Sequence, residues 1–190
     1  DPEGDPVLLY MSGDGALVVY VNKNRDGITK ETAVAIHKSS RNKFINAEHD
    51  RGSILGVVLY PALTKLDTHE ILTDEQALAS TEPFNMSFAG VLWKVVSPII
   101  SKYVVQQGAS TGKDVLSLSW EIAFSHYSIL VGGEDIATGR LILMEDPSFA
   151  VYDKMLLQNG GKGTDAKGQN VSRVISGDAI VLGYGIVTAP

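Results

Sequence analysis

The chain has 190 residues, of which 44% are hydrophobic and 20% are charged, and its formal net charge at pH 7 is −6. This size and composition suit a single domain, 1–190, with a sizeable core, and they exclude a disordered chain. The basic residues are scattered, so no nucleic-acid-binding face is expected, and the absence of cysteine excludes disulfides and cysteine nucleophiles.

The N-terminal half predicts strands with two helices among them. Residues 7–12 and 16–23 are β-branched and aromatic runs around the turn signal GDG, which predicts a β-hairpin. Residues 28–40 predict a helix, because Thr29 is a suitable N-cap and an acidic residue follows it in the first turn. The other elements predicted in this half are strands at 43–49 and 53–63, a tight connection at 50–52 and a short helix at 73–79.

The C-terminal half is also rich in strand patterns. Residues 97–108 predict a helix, with Ser97 as N-cap and Pro98 as its first residue. Residues 159–170 are rich in Gly and polar residues, which predicts a flexible loop. The other elements predicted here are strands at 84–96, two strands within 114–130, and one or two strands in the closing segment 171–190.

These elements predict an α+β domain that is mostly β. Because the strands do not alternate regularly with helices, we expect a closed or nearly closed antiparallel β-barrel flanked by a few helices. No apolar run reaches the ~20 residues of a membrane-spanning helix, and no signal peptide is visible, so no membrane partner is expected. No metal-binding motif is present, and we predict no metal or cofactor.

An ionisable side chain lies in the middle of the predicted strand at 114–124. Alternate side chains of a strand share a face, so Ser117, Ser119 and Glu121 point one way and the apolar residues between them point the other way. The Cα atoms of Ser119 and Glu121 should lie about 6.6 Å apart, which leaves room for an imidazole between them. A serine–histidine–acid triad requires such a geometry, although the solvent face of an amphipathic strand has the same pattern.

His49 is the strongest histidine candidate for such a site. It ends a predicted strand, lies between Glu48 and Asp50, and precedes a glycine turn. A histidine titrates near neutrality, which suits a general base, but a surface histidine in a polar turn would have the same surroundings. His126 follows Ser119 by seven residues and is a reserve candidate, because a second histidine can replace the acid in some triads.

Three segments carry a resemblance to a known family. FINAEHDRGSILGVV (44–58) resembles the histidine segment of the tailed-phage prohead proteases, also called head maturation proteases, and VLSLSWEIAF (115–124) resembles their serine segment. Ser119 follows His49 by 70 residues, and a Trp-containing strand and an amphipathic helix lie between them, as in that family. AIVLGYGIVTAP (179–190) resembles the closing segment of the family.

The resemblance implies a herpesvirus-assemblin-like β-barrel with serine endopeptidase activity. The implied substrates are scaffold and major capsid proteins, cleaved inside the phage prohead as it assembles in the host cytoplasm, and a homo-oligomer is possible. Self-cleavage is typical of the family, and a chain that begins at Asp1 is compatible with processing. The rival hypotheses are an inactive relative that serves as a structural part of the prohead core, and a generic β-barrel binding module.

The resemblance also implies roles for individual residues. His49 matches the general base of the family and Ser119 matches its nucleophile. Many relatives have an acid before the final strand, but alignment on the last proline places Gly183 there. We therefore expect Glu121 to supply the carboxylate, with Asp178 as the runner-up.

Overall fold

The computed structural model describes residues 5–108 and 116–188. In that part of the chain eleven strands are connected by turns and four short α-helices. The strands are β1 (Leu8–Val18), β2 (Asp26–Ile28), β3 (Phe44–Ala47), β4 (Asp50–Lys65), β5 (Ile71–Leu72), β6 (Phe84–Trp93), β7 (Leu116–Phe124), β8 (Tyr127–Val131), β9 (Arg140–Ile142), β10 (Val171–Ile175) and β11 (Ala179–Thr188). The helices are α1 (Lys30–Ile36), α2 (Asp74–Ala79), α3 (Pro98–Gly108) and α4 (Phe149–Asp153).

Seven strands form one curled sheet that carries most of the core. The strand order is β1-β6-β4-β3-β11-β7, and β5 pairs with β4. Most neighbours are antiparallel, but β3 and β11 run parallel. The predicted mostly β domain is confirmed, whereas the closed or nearly closed antiparallel barrel is wrong, because the sheet is an open half-barrel and is mixed.

The open seam lies between β1 and β7. Within the described residues these two strands form no ladder with each other. Side chains fill part of the seam instead: a Cβ added to Gly13 of β1 would lie 2.2 Å from Cδ1 of Leu118 in β7. Side-chain packing therefore replaces main-chain hydrogen bonding where the edges approach, and both strands keep a free edge.

The predicted hairpin at the N-terminus is wrong. β1 runs through the GDG segment as one strand, with a register shift against β6 between Asp14 and Ala16. The glycines mark a bulge and a close approach, because a Cβ at Gly15 would lie 2.2 Å from the ring of Tyr184. A glycine pair inside a strand therefore resembles a turn signal when only the sequence is considered.

The predicted helices are present. Thr29 caps α1 by accepting a hydrogen bond from the N–H of Thr32, and Thr73 forms a capping box with Gln76 at the start of α2. The helix predicted at 28–40 ends at Ile36 and continues as a 3-10 segment, His37–Ser40. No helix in the described ranges is long and apolar enough to cross a lipid bilayer.

A smaller sheet has the strand order β2-β10-β8-β9 and a second cluster of buried apolar residues. Its strand β8 follows β7 directly through a short turn, whereas β2 comes from the N-terminal half of the chain. Before β10, the segment 159–170 contains a turn in which the Asp165 carboxylate accepts hydrogen bonds from the N–H groups of Lys167 and Gln169. The predicted mobility of this segment stays a prediction.

β11 lies between β3 and β7 and connects the core to the site. Its Tyr184 is buried, with its ring centroid 4.5 Å from that of Phe88 and its hydroxyl 2.9 Å from Oγ of Ser40. This burial raises the pKa of Tyr184. Because strand residues alternate between faces, Tyr184 in the core places Gly183 and Gly185 on the opposite face of the sheet.

Candidate active site

His49 lies in a two-residue turn that joins β3 to β4. Ala47 pairs with Asp50, so Glu48 and His49 are the two turn residues, and their φ angles are 50° and 61°. Tight hairpin turns with positive φ at both central positions match the twist of the strands, but they are uncommon for residues other than Gly, Asn and Asp. The turn thus holds the imidazole at the end of the β3–β4 hairpin.

The predicted tight connection at 50–52 is therefore wrong in position. These residues begin β4. Their sequence resembles a turn because the Asp50 side chain forms hydrogen bonds with residues two and three positions later. Its carboxylate accepts hydrogen bonds from the Ser53 hydroxyl at 2.6 Å and from the Gly52 N–H at 2.9 Å. The Ser53 hydroxyl and then the Gly52 N–H hold the pKa of Asp50 below its usual range. Asp50 therefore stabilises the segment that follows His49.

We expect Asp50→Ala to speed hydrogen exchange of the Gly52 amide about tenfold near neutral pH. In the wild-type protein, a lowered folded-state pKa means that this protection is present above the ordinary pKa of an aspartate. It is lost as the pH falls through the folded-state value. Asp50→Asn is the control, because its side-chain oxygen can still accept from Gly52. Exchange measured by NMR against pH tests this, and equal rates in all three proteins would contradict it.

A glycine of β11, Gly185, forms the base of the site. Gly185 pairs with Ser119 of β7 on one side and with Asn46 of β3 on the other. The ring of Phe44 fills the space over Gly183, whereas the absence of a side chain at Gly185 leaves a depression in β11 between its two neighbours. The imidazole of His49 occupies it, since a Cβ at Gly185 would lie 2.9 Å from both Nδ1 and Cε1 of that ring.

His49 and Glu121 are in direct contact. Nδ1 of His49 lies 3.2 Å from Oε1 of Glu121, and the two side chains are 38% and 13% exposed. An ionised carboxylate only accepts hydrogen bonds, so Nδ1 carries the hydrogen and Nε2 is left with a free lone pair. The other carboxylate oxygen lies 3.9 Å from Nε of Arg51, whose side chain is 71% exposed, so this pair contributes little.

Ser119 lies beside this pair on the same face of β7. It is half-buried and pairs with Gly185, over which the imidazole lies. Directly opposed residues of antiparallel strands have Cβ positions about 5 Å apart, so the register places Ser119 beside the strand position over which the ring lies. Within the described residues, Ser119 makes no hydrogen bond to His49; catalytic hydrogen bonds are often long in resting enzymes. The structure thus brings together the three predicted residues, His49, Ser119 and Glu121, which we call the candidate triad.

The two alternative candidates for the third triad member, His126 and Asp178, lie at the other end of β7. His126 is in the turn after β7, where its Nδ1 is 2.6 Å from Oγ of Ser125. The carbonyl of Asp178 accepts a hydrogen bond from the N–H of Ser125, which places Asp178 at the same end of β7. At strand rise this end is about 20 Å from Ser119, so neither residue supplies the acid in this fold.

Sequence reasoning missed Asn46 and the role of Gly185. Asn46 is fully buried and donates from Nδ2 to Oε1 of Glu121 at 2.6 Å. The available signals were an amide inside the apolar strand FINA and a Gly-Tyr-Gly pattern inside a strand, which indicates a close approach. Gly183, where the resemblance expects an acid, is the direct cross-strand partner of Glu121. The carboxylate is therefore on the neighbouring strand.

The described residues contain no group of three or more His, Asp or Glu side chains that could hold a metal ion. The chain matches no protein-family model, no curated protein and no solved structure at a significant level. The resemblance to the prohead proteases therefore stays a prediction based on the quoted motifs.

Proposed function

We propose that the protein is a serine endopeptidase that cleaves scaffold and capsid-protein segments during phage head maturation, inside the prohead. One observation carries the catalytic part of this proposal: Nδ1 of His49 lies 3.2 Å from Oε1 of Glu121, and Ser119, on the same face of β7 as Glu121, pairs with Gly185, over which the imidazole lies. The motifs quoted above carry the choice of substrates.

The proposed reaction uses the tautomer of His49 in which Nδ1 donates to Glu121 and Nε2 is unprotonated. Nε2 of His49 accepts the proton of the Ser119 hydroxyl while Oγ attacks the carbonyl carbon of a peptide bond. Glu121 stabilises the resulting imidazolium through the Nδ1–H group. The imidazolium then gives the proton to the leaving amine, the peptide C–N bond breaks, and an acyl-enzyme remains. Water, deprotonated by the same histidine, releases the acid and restores Ser119.

The candidate triad requires the imidazole to move before it can form a hydrogen bond with Ser119. His49 is more than one-third exposed, and its turn lies at the end of a hairpin, so rotation of the ring is sterically open on the solvent side. Glu121, by contrast, is held on a strand by the ladder to β11. The imidazole, which is 38% exposed, therefore has more room to change its rotamer than the Glu121 carboxylate, which is 13% exposed.

An extended substrate segment fits the free edge of β7. Within the described residues β7 pairs only with β11, and the side-chain amide of Gln107 bonds to both the N–H and the C=O of Leu116. Gln107 thus imitates a strand partner at the start of that edge. A groove of about 840 Å³ runs between this edge and β1; its apolar lining includes Leu9, Met11, Val104 and Leu116, and the candidate triad lies outside it. Addition of a strand at such an edge is a common mode of peptide recognition.

We expect a fluorophosphonate probe to label the wild-type protein on Ser119, because only an activated serine attacks such a reagent at a useful rate. Ser119→Ala should lose all labelling and all cleavage of scaffold and capsid fragments, while its circular dichroism spectrum is unchanged. Mass spectrometry of the labelled peptide identifies the modified residue.

Ser117→Ala is the matched control, because Ser117 lies on the same face two residues earlier and should be dispensable. Labelling that persists in Ser119→Ala would contradict the assignment of the nucleophile. An unlabelled wild-type protein that nonetheless assembles with scaffold protein would favour a structural role over an enzyme.

A further inference from the structure

Asn46 is a buried amide whose position the fold alone does not explain. It lies on the outer face of β3, is fully buried, and pairs with Gly185 beneath the imidazole of His49. The β3–β4 ladder shifts register on both sides of Asn46, so the strand is irregular at this residue. A buried amide is costly unless it is hydrogen-bonded, and an apolar residue would fill the same volume without that cost.

The two halves of the Asn46 amide have different surroundings. Nδ2 donates to Oε1 of Glu121 at 2.6 Å, the same oxygen that faces Nδ1 of His49. Oδ1 is buried and accepts no hydrogen bond from the described residues. The reverse orientation of the amide would place two oxygens at that short distance, so chemistry determines the assignment. The Asn46 amide therefore forms a hydrogen bond to the Glu121 carboxylate while its own oxygen is left without a donor among the described residues.

The shared oxygen links Asn46 to the histidine. With Oε1 held by Nδ2 of Asn46, the carboxylate cannot turn that oxygen towards Arg51, and it stays available to the Nδ1–H group of His49. This contact selects the tautomer in which Nε2 is unprotonated. Asn46 pairs with Gly185 from the side opposite Ser119, and in the described residues it makes no hydrogen bond with the Ser119 hydroxyl.

We propose that Asn46 is a positioning residue that orients the Glu121 carboxylate and thereby keeps the hydrogen of His49 on Nδ1; this role rests on the proposed peptidase function. The charged groups around the ring are Glu121 from β7, Arg51 from β4, and the adjacent Glu48 and Asp50, of which Asp50 is turned to Ser53. Asn46 adds a neutral donor to this set, so changes at this position act through the orientation and charge of the acid.

Two variants test the proposal. Asn46→Asp keeps the size of the side chain but places a second carboxylate beside Glu121, and added negative charge stabilises the imidazolium. Labelling of Ser119 requires an unprotonated imidazole. The acid limb of the pH profile, where the labelling rate falls as His49 is protonated, should therefore move to higher pH by about one unit. Asn46→Leu removes the donor. In a Ser119→Ala background, the ¹⁵N shifts of His49 should change from the Nδ1–H tautomer in the parent to a mixture in Asn46→Leu.

The control is Asn85→Leu, because Asn85 is another buried asparagine in the same sheet, on β6. It should lower the melting temperature without moving the pH limb or the tautomer. An unlabelled wild-type protein would remove the peptidase proposal, and the NMR measurement would still report on Asn46. A wild-type protein that is labelled, with an unmoved limb in Asn46→Asp and an unmoved tautomer in Asn46→Leu, would overturn the role of Asn46. If Asn46→Leu does not fold, Asn46→Asp alone decides the question.

Discussion

Glu121→Gln is expected to lower the rate at which a fluorophosphonate labels Ser119 by about 10³–10⁴-fold, the loss that a triad suffers when its acid becomes an amide. The physical reason lies in the contact between Oε1 and Nδ1 of His49 at 3.2 Å. An amide has no charge to stabilise the imidazolium. Its NH₂ group also allows the tautomer that places the hydrogen on Nε2, where it blocks proton transfer from Ser119.

The size of this loss of labelling rate distinguishes a catalytic acid from a carboxylate that merely lies beside a histidine on the surface. Asp14→Asn is the matched control, because Asp14 of β1 also faces a histidine, His69 in the connection between β4 and β5, with Oδ2 3.7 Å from Nδ1. It should leave the labelling rate within about twofold of the wild-type value. A near-normal rate in Glu121→Gln would show that Glu121 is not the acid of the site.

Gly185→Ala is expected to lower the same rate about 100-fold, because displacements near 1 Å of a catalytic group have effects of that order. The added methyl group would lie 2.9 Å from Nδ1 and Cε1 of His49 and 3.2 Å from Oδ1 of Asn46. The imidazole must then rise from the depression over β11, and its contact with Glu121 lengthens. The rate of labelling and the melting temperature are measured on the same samples.

The neighbouring glycine supplies the control for this change. A Cβ at Gly183 would lie 2.6 Å from Cε2 of Phe44, so Gly183→Ala strains the same strand without meeting the histidine. We expect both variants to be destabilised and only Gly185→Ala to lose reactivity. Equal losses of reactivity in the two variants would mean that strain in β11, and not displacement of His49, is responsible.

Local sequence patterns predicted much of the secondary structure. Thr29 and Thr73 cap helices as expected, because an N-cap acts within three residues of its own position. The pattern of β7 placed Ser119 and Glu121 on one face, because alternation along a strand needs no information from the rest of the chain. The two wrongly predicted turns both contain glycine, which occurs in turns and in strands. In β1, Gly15 makes room for the Tyr184 ring, and in β4, Gly52 donates its N–H to the Asp50 carboxylate within the strand.

The sequence by itself thus predicted a mostly β domain and a polar face on the strand that carries Ser119. Helix capping and strand alternation depend on only a few neighbouring residues, and composition needs no structure at all. The tertiary structure decided the rest, because it depends on which strands become neighbours. The parallel pairing of β3 with β11 and the antiparallel pairing of β11 with β7 bring the His49 turn over Gly185 and beside Glu121, although the histidine and the glutamate are 72 positions apart in the sequence. No short-range pattern encodes that order of strands, nor the open seam between β1 and β7. Both follow from the way the sheet curls around Tyr184 and its neighbours in the core.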